Sequence, residues 1–412
     1  MKISQSKATW IVLLFSILFL WIGNRYATAH ALHITVSDYE SEMNDQVFAK
    51  VTKIDSITPS QTDSGTNVIK FTCIITTGEK KGTSVHATQN AYKNNAAMPP
   101  QVNPNDKVVL GQLSSGSSTE YAFENYDRIE QIFWLSLIFI GLIVVFGGKK
   151  GLRTVLSLAL TCLAIFFVFL PCILAGFNIY ASTIIICIYI IAVSYILTGG
   201  INRKSLAAAI GCSGGVAFSG VIYVIMEQIM KLTGYYNDQT SLLKQTFTQC
   251  PLDLKAIVFA MVTVGALGAT MDVAMSIASS LEEVQKSKTN MKKFEIIQSG
   301  FNIGKDIMGT MTNTLILAYV GSSLIMVLIY AASNYPILQL LNKEEIIVEI
   351  LQSLIGSLGM LFTIPFTTVI SAWLIRKSTW QKPEIVKTFP HVSQYQQKRH
   401  QSVHSFDYEN HE

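Results

Sequence analysis

The sequence predicts a polytopic α-helical membrane protein of about eight spans, or seven if the first is a cleaved signal, carrying a small exported all-β, OB-like domain. Three observations predict it. Half of the 412 residues are hydrophobic and only 14% are charged, far from the quarter-charged balance of a soluble domain. Apolar runs long enough to cross a hydrocarbon core of about 30 Å recur along the chain. Residues 30–129 interrupt them with a stretch rich in Ser, Thr, Asn and Asp.

The candidate spans lie near residues 9–23, 130–147, 154–171, 177–197, 206–226, 256–280, 311–332 and 350–374. Lys and Arg orient them. With the N-terminus inside, the cytoplasmic segments hold Lys2 and Lys7, then Lys149, Lys150 and Arg153, then Arg203 and Lys204, then five lysines from Lys286 to Lys305. The short outer loops are nearly bare, as the positive-inside rule requires. The net charge of +4 therefore reports topology, and no nucleic-acid partner is expected. Six cysteines show no paired spacing, so neither a disulfide framework nor a metal site is expected.

Residues 1–29 hold the first span. Its apolar run from Trp10 to Ile22 is short and is followed by Ala27-Thr28-Ala29, so a membrane anchor and a cleaved signal peptide both fit. Either one exports residues 30–129. There, Ile69, Phe71, Cys73 and Ile75 fall on one face of a period-two pattern, as do Val47, Ala49 and Val51, which is the mark of half-buried strands. "TGEKKGTSV" supplies a turn and "NDKVVLGQL" a further strand. Four to six short strands in this length suggest an OB-like barrel, with a sandwich as the runner-up. The module has no basic stripe interleaved with aromatic residues, which weighs against oligonucleotide binding. Residues 130–375 form a seven-span membrane domain. Residues 376–412 read as a disordered cytoplasmic tail.

"GEKKGTSVHATQN", "FGGKKGLRTVLSLAL", "GALGATMDVAMSIASSLEEV" and "SGFNIGKDIMGTMTNTLILAYVGSSL" resemble the YibE/F family of bacterial multi-pass membrane proteins. The resemblance covers nearly all of the chain after the first span and is most specific around Asp272 and Asp306. The exported module makes this chain similar to the longer, YibE-like members. A shorter, YibF-like membrane subunit is therefore an implied partner, beside a homo-oligomer and the lipid bilayer itself. The resemblance implies a bacterial plasma membrane and brings no substrate, while Arg376, Lys377, Lys382, Lys387, Lys398 and Arg399 put the C-terminus on the cytoplasmic side. Asn105-Asp106 stands where the family pattern suggests Gly-Asp before a strand.

The residues themselves point to Asp272. A carboxylate within an apolar run costs at least a few kcal/mol against lipid, so such residues default to functional hypotheses. On an ideal helix Asp272 shares a face with Gly265, Gly268, Ala269 and Ser276, a small and polar surface expected to turn into the bundle. Asn302, Asp306, Thr310 and Asn313 recur at three to four and line one face of the next span. Lys305 beside them is a possible partner for Asp272 or Glu282. In the last span Thr363 and Thr367 share a face, and Pro365 deprives the carbonyl of Leu361 of its helical donor. Broken or polar helices of this kind build the midplane sites of many transporters. Gly211, Gly215 and Ser219 read instead as a packing face.

"GFNIGKD" fails the phosphate-loop pattern in both spacing and final residue. No catalytic constellation appears, so an enzyme is not expected, nor is a cofactor. Two functions fit: a permease or transporter subunit for a small solute or ion, or a non-transporting envelope scaffold or signalling protein whose exported module binds a partner.

Overall fold

The computed structural model describes residues 5–29, 46–59, 66–92, 100–115, 118–246, 252–288, 291–333 and 335–376. The tail beyond Arg376, Cys250 and residues 30–45 lie outside them.

Helix α1 (Gln5–Ala29) runs through the Ala27-Thr28-Ala29 triplet. It packs rather than standing apart: Ala8, Val12, Ser16 and Ala27 are buried, and the ring of Phe19 stacks on Tyr189 at 4.2 Å.

Among the described residues five strands follow: β1 (Val47–Pro59), β2 (Thr66–Ile75), β3 (Ser84–Tyr92), β4 (Lys107–Ser115) and β5 (Ser118–Tyr126). They close into a barrel in the order β1-β2-β3-β5-β4, with β3 and β5 paired in parallel and the other neighbours antiparallel. Closure removes the open edges that a sandwich would leave. The alternating residues fill its interior: Ala49, Val51, Ile69, Phe71, Cys73 and Ile75 are buried together with Leu110 and Tyr121. The β4 entry is made by Asn105 at φ 76°. Asn tolerates this left-handed conformation better than most residues, so it serves where the family pattern suggests Gly. Gln89 is buried and ties β3 to the segment before β4, its Nε2 donating to Pro100 O at 3.1 Å and its Oε1 accepting from Val102 N at 3.0 Å.

The membrane portion contains α2 (Ile129–Ala164), a π-helical turn (Ile165–Phe169), α3 (Leu170–Leu174), α4 (Ile179–Gly199), α5 (Arg203–Met230) and α6 (Asp238–Thr246). It continues with α7 (Leu254–Ser287), α8 (Lys293–Ser322), α9 (Leu324–Ala332), α10 (Ile337–Leu340) and α11 (Glu344–Arg376). Among the described residues six helices are long and apolar enough to cross a membrane, or seven if the bent pair α8–α9 is one span. The longest stretch, Ile129–Leu174, has 46 residues, about 69 Å of helix and more than twice a hydrocarbon core. It is not straight. Gly148 sits at φ 53°, ψ −132°, and a Cβ added to Gly151 would run into the carbonyl oxygen of Ile143. Residues eight apart on a straight helix are separated by about 12 Å. The chain therefore doubles back at Gly148 into two limbs, 129–147 and 149–174, matching the two adjacent apolar runs in the sequence.

The seventh apolar run is displaced. The sequence suggests 311–332, but those residues straddle a 56° bend between α8 and α9, and α8 begins at Lys293. Gly300 abuts Thr368 and Gly304 abuts Ile364, while Leu315 meets Gly356, so α8 runs antiparallel along the middle of α11. The polar residues in the first half of α8 hide this helix from a hydropathy scan.

The bundle centres on α5, α7 and α11. Cβ atoms added to Gly211 and Gly215 would collide with the hydroxyls of Thr367 and Thr363, and one added to Gly359 would collide with Ser219. Backbones this close are the product of small residues at every fourth position. The Gly211, Gly215 and Ser219 face is thus a packing face. At one end Lys204 pairs with Glu282 at 3.2 Å, and at the other Glu344 accepts from Thr233 N and Gly234 N at 2.7 Å each.

Candidate functional site

Asp272 lies at the middle of α7, about 27 Å of helix from Leu254 and about 22 Å from Ser287. The helix starts at Asp253, whose Oδ1 accepts from the nitrogens of Lys255 and Ala256. The buried face of α7 is apolar: Val273 and Ile277 share a cluster with Met360 and Ile364. This puts Asp272 level with the centre of α11. Its own face is the opposite one. Asp272 is exposed, Gly268 one turn away has open space where a Cβ would be, and at Gly265 the notch is roofed by the Tyr319 hydroxyl from α8. The expectation that Asp272 turns into the bundle is therefore corrected. The apolar residues of α7 take the interior, and the carboxylate is left on a glycine-lined notch.

No hydrogen bond or ion pair holds Asp272 among the described residues. Polar groups flank it on α4 and α5: the Tyr195 hydroxyl donates to Met271 O at 2.9 Å, and Cys212 Sγ lies 3.5 Å from Thr270 Oγ1. Tyr195, Cys212, Thr270 and Tyr319 were not singled out by the sequence, because Tyr and Cys inside apolar runs look like ordinary packing. Ser276, the next turn along, is half-buried.

The polar stripe of α8 does not meet Asp272. Asn302, Lys305, Asp306, Thr310 and Asn313 are all exposed, on flanks of α8 away from the Gly300, Gly304 and Leu315 seam that packs on α11. Thr310 Oγ1 is spent on Ile307 O at 3.0 Å. Lys305 pairs with neither Asp272 nor Glu282, the latter being taken by Lys204 at 3.2 Å and Lys286 at 3.7 Å. The two-helix site suggested by the sequence is not assembled within one chain. Its parts nevertheless share one level, since Gly304 touches Ile364 and Asp272 neighbours the residues packed on Ile364.

Thr363 and Thr367 are fully buried against α5, and Thr363 Oγ1 donates to Gly359 O at 2.8 Å. They belong to a packing seam. Pro365 sits in an otherwise unbroken α11, and beyond it the buried hydroxyls of Thr367, Thr368 and Ser371 have no partner among the described residues. Among the described residues no group of three or more His, Cys, Asp or Glu is placed to hold a metal.

The sequence profile described as YibE/F-like protein matches residues 135–377, which takes in both limbs of the Gly148 hairpin, Asp272, the α8 stripe and nearly all of α11. The chain belongs to the YibE/F-like family. The match starts after the barrel, so the family is carried by the helices. No curated protein and no solved structure matches this YibE/F-like chain.

Proposed function

We propose that this YibE/F-like chain is a permease, or the larger subunit of a transporter, for a small solute or ion, and that Asp272 is the group that takes up and releases the transported or coupling ion. The observation that carries this reading is an unpaired carboxylate at the middle of a membrane-length helix, opening on the Gly268 notch. A charge there is expensive unless water or a cation reaches it. The notch provides room for either.

In this reading the chain crosses the plasma membrane eight times, with α1 as an anchor and the Gly148 hairpin as two crossings. The OB-like barrel stands outside at the outer mouth and the C-terminus is inside. No catalytic role is assigned. Metabolite and metal-ion profiling of a deletion strain, complemented with the parent chain or with Asp272→Asn, tests it. The parent restores the profile and Asp272→Asn, present at the same membrane level, does not.

The barrel's separate and complete core favours one alternative, a scaffold or signalling protein that acts through the exported module. That role is lost on barrel deletion and survives Asp272→Asn.

A further inference from the structure

We infer that α8 is the contact helix of a homodimer, in which two copies of this chain meet through Asn302, Asp306, Gly309 and Asn313, with Ile316 at the rim. In the sequence, Asn302, Asp306 and Asn313 suggest a site shared with Asp272. The structure leaves them on the outside of the bundle. All are exposed, and Gly309 has nothing within 4 Å of an added Cβ. Their spacing is four, three, four and three, which keeps them on one narrow seam of the kind that mates with a second helix.

Depth makes exposure costly. Gly304 touches Ile364 and Gly300 touches Thr368, so Lys305 and Asp306 lie level with the centre of α11, a span whose 31-residue apolar stretch runs from Glu344 to Leu374. Charged and amide side chains at such depth face protein or water, not lipid. No other part of the described chain covers them.

The seam is complementary to itself. Copies of one membrane protein insert in the same orientation, so a two-fold axis lies along the membrane normal and the two α8 helices run parallel. In parallel knobs-into-holes packing, a knob at 306 enters a hole formed by residues 302, 305, 306 and 309 of the facing helix. Each Asp306 therefore meets Asn302, Lys305 and Asp306 of the other copy, and the two lysines balance the two facing aspartates. Asn313 faces its own copy, where each amide both donates and accepts. The small Gly309 between these layers lets the backbones close.

Oxidative cross-linking in native membranes tests the seam, with the parent chain's cysteines as the baseline. Gly309→Cys is expected to give a covalent homodimer above that baseline. Thr314→Cys, exposed on another flank of α8, is expected not to. A charge-exchange experiment guards against misfolding: differently tagged Lys305→Glu and Asp306→Lys copies each lose self-association at least tenfold, and co-expression restores a mixed dimer. Equal cross-linking at 309 and 314 overturns the proposal. So does a mixed pair that stays apart, or a Gly309→Cys product joined to a different, shorter membrane protein. None of these outcomes depends on transport by Asp272.

Discussion

At the residue scale, glycine spacing separates positions that hold the bundle from positions that keep it open. Gly215 faces the Thr363 side chain and the Gly359 carbonyl with no room for a methyl group, whereas Gly268 faces open space. Gly215→Ala should destabilise the protein by about 1–3 kcal/mol, the usual cost of overpacking, and Gly268→Ala, which gains helix propensity with open space at its Cβ, should not lower stability. Thermal unfolding in one detergent compares them. A second test lies in the barrel, where burial pushes the Cys73 thiol up to about 11 from an ordinary value near 9.0. At pH 8 it then carries roughly 100-fold less thiolate than a free thiol, so maleimide labelling should be slow until denaturant opens the barrel. The sign also fixes a pH dependence: the folded thiol keeps its proton longer, so this contribution is complete below about 9 and is lost as pH climbs to about 11. Asp272 was legible in the sequence as an expensive residue. Which way it points was not, because α7 carries small residues on both faces and only the packing of Val273 and Ile277 decides.

Hydropathy works at the scale of whole elements and fails where polar residues enter a span. The barrel strands were legible because their alternation is strict, and Ile69, Phe71, Cys73 and Ile75 all lie inside. The limbs on either side of Gly148 were legible as two apolar runs separated by Gly-Gly-Lys-Lys. The start of α8 was not, since Asn302, Lys305 and Asp306 lower the apolar signal of a helix that packs along α11. Gly148 gives a test of the hairpin. Its φ of 53° with ψ of −132° is a conformation that favours glycine, and a side chain there should cost about 1–3 kcal/mol. Gly148→Ala should lower the unfolding temperature, and Gly147→Ala, with open space at its Cβ, should not. Equal effects would mean that the turn is made elsewhere.

For the whole molecule, a closed barrel and a helical bundle divide the chain, and the family match covers the bundle alone. The sequence conveyed this division through composition. It could not convey which polar residues share a chain-internal site, because the helices are long and their rotation about their axes is set by seams such as Gly211 and Gly215 against Thr367 and Thr363. One arrangement follows: a packed centre of α5, α7 and α11, a carboxylate on the open side of α7, and a polar seam on the outside of α8. Complementation of a deletion strain tests its central claim, with Asp272→Asn and a barrel-deleted chain compared at matched membrane levels. Asp272→Asn is expected to fail to restore the strain's metabolite and metal-ion profile even though it folds and reaches the membrane. Full restoration by Asp272→Asn, with failure of the barrel-deleted chain alone, would contradict it.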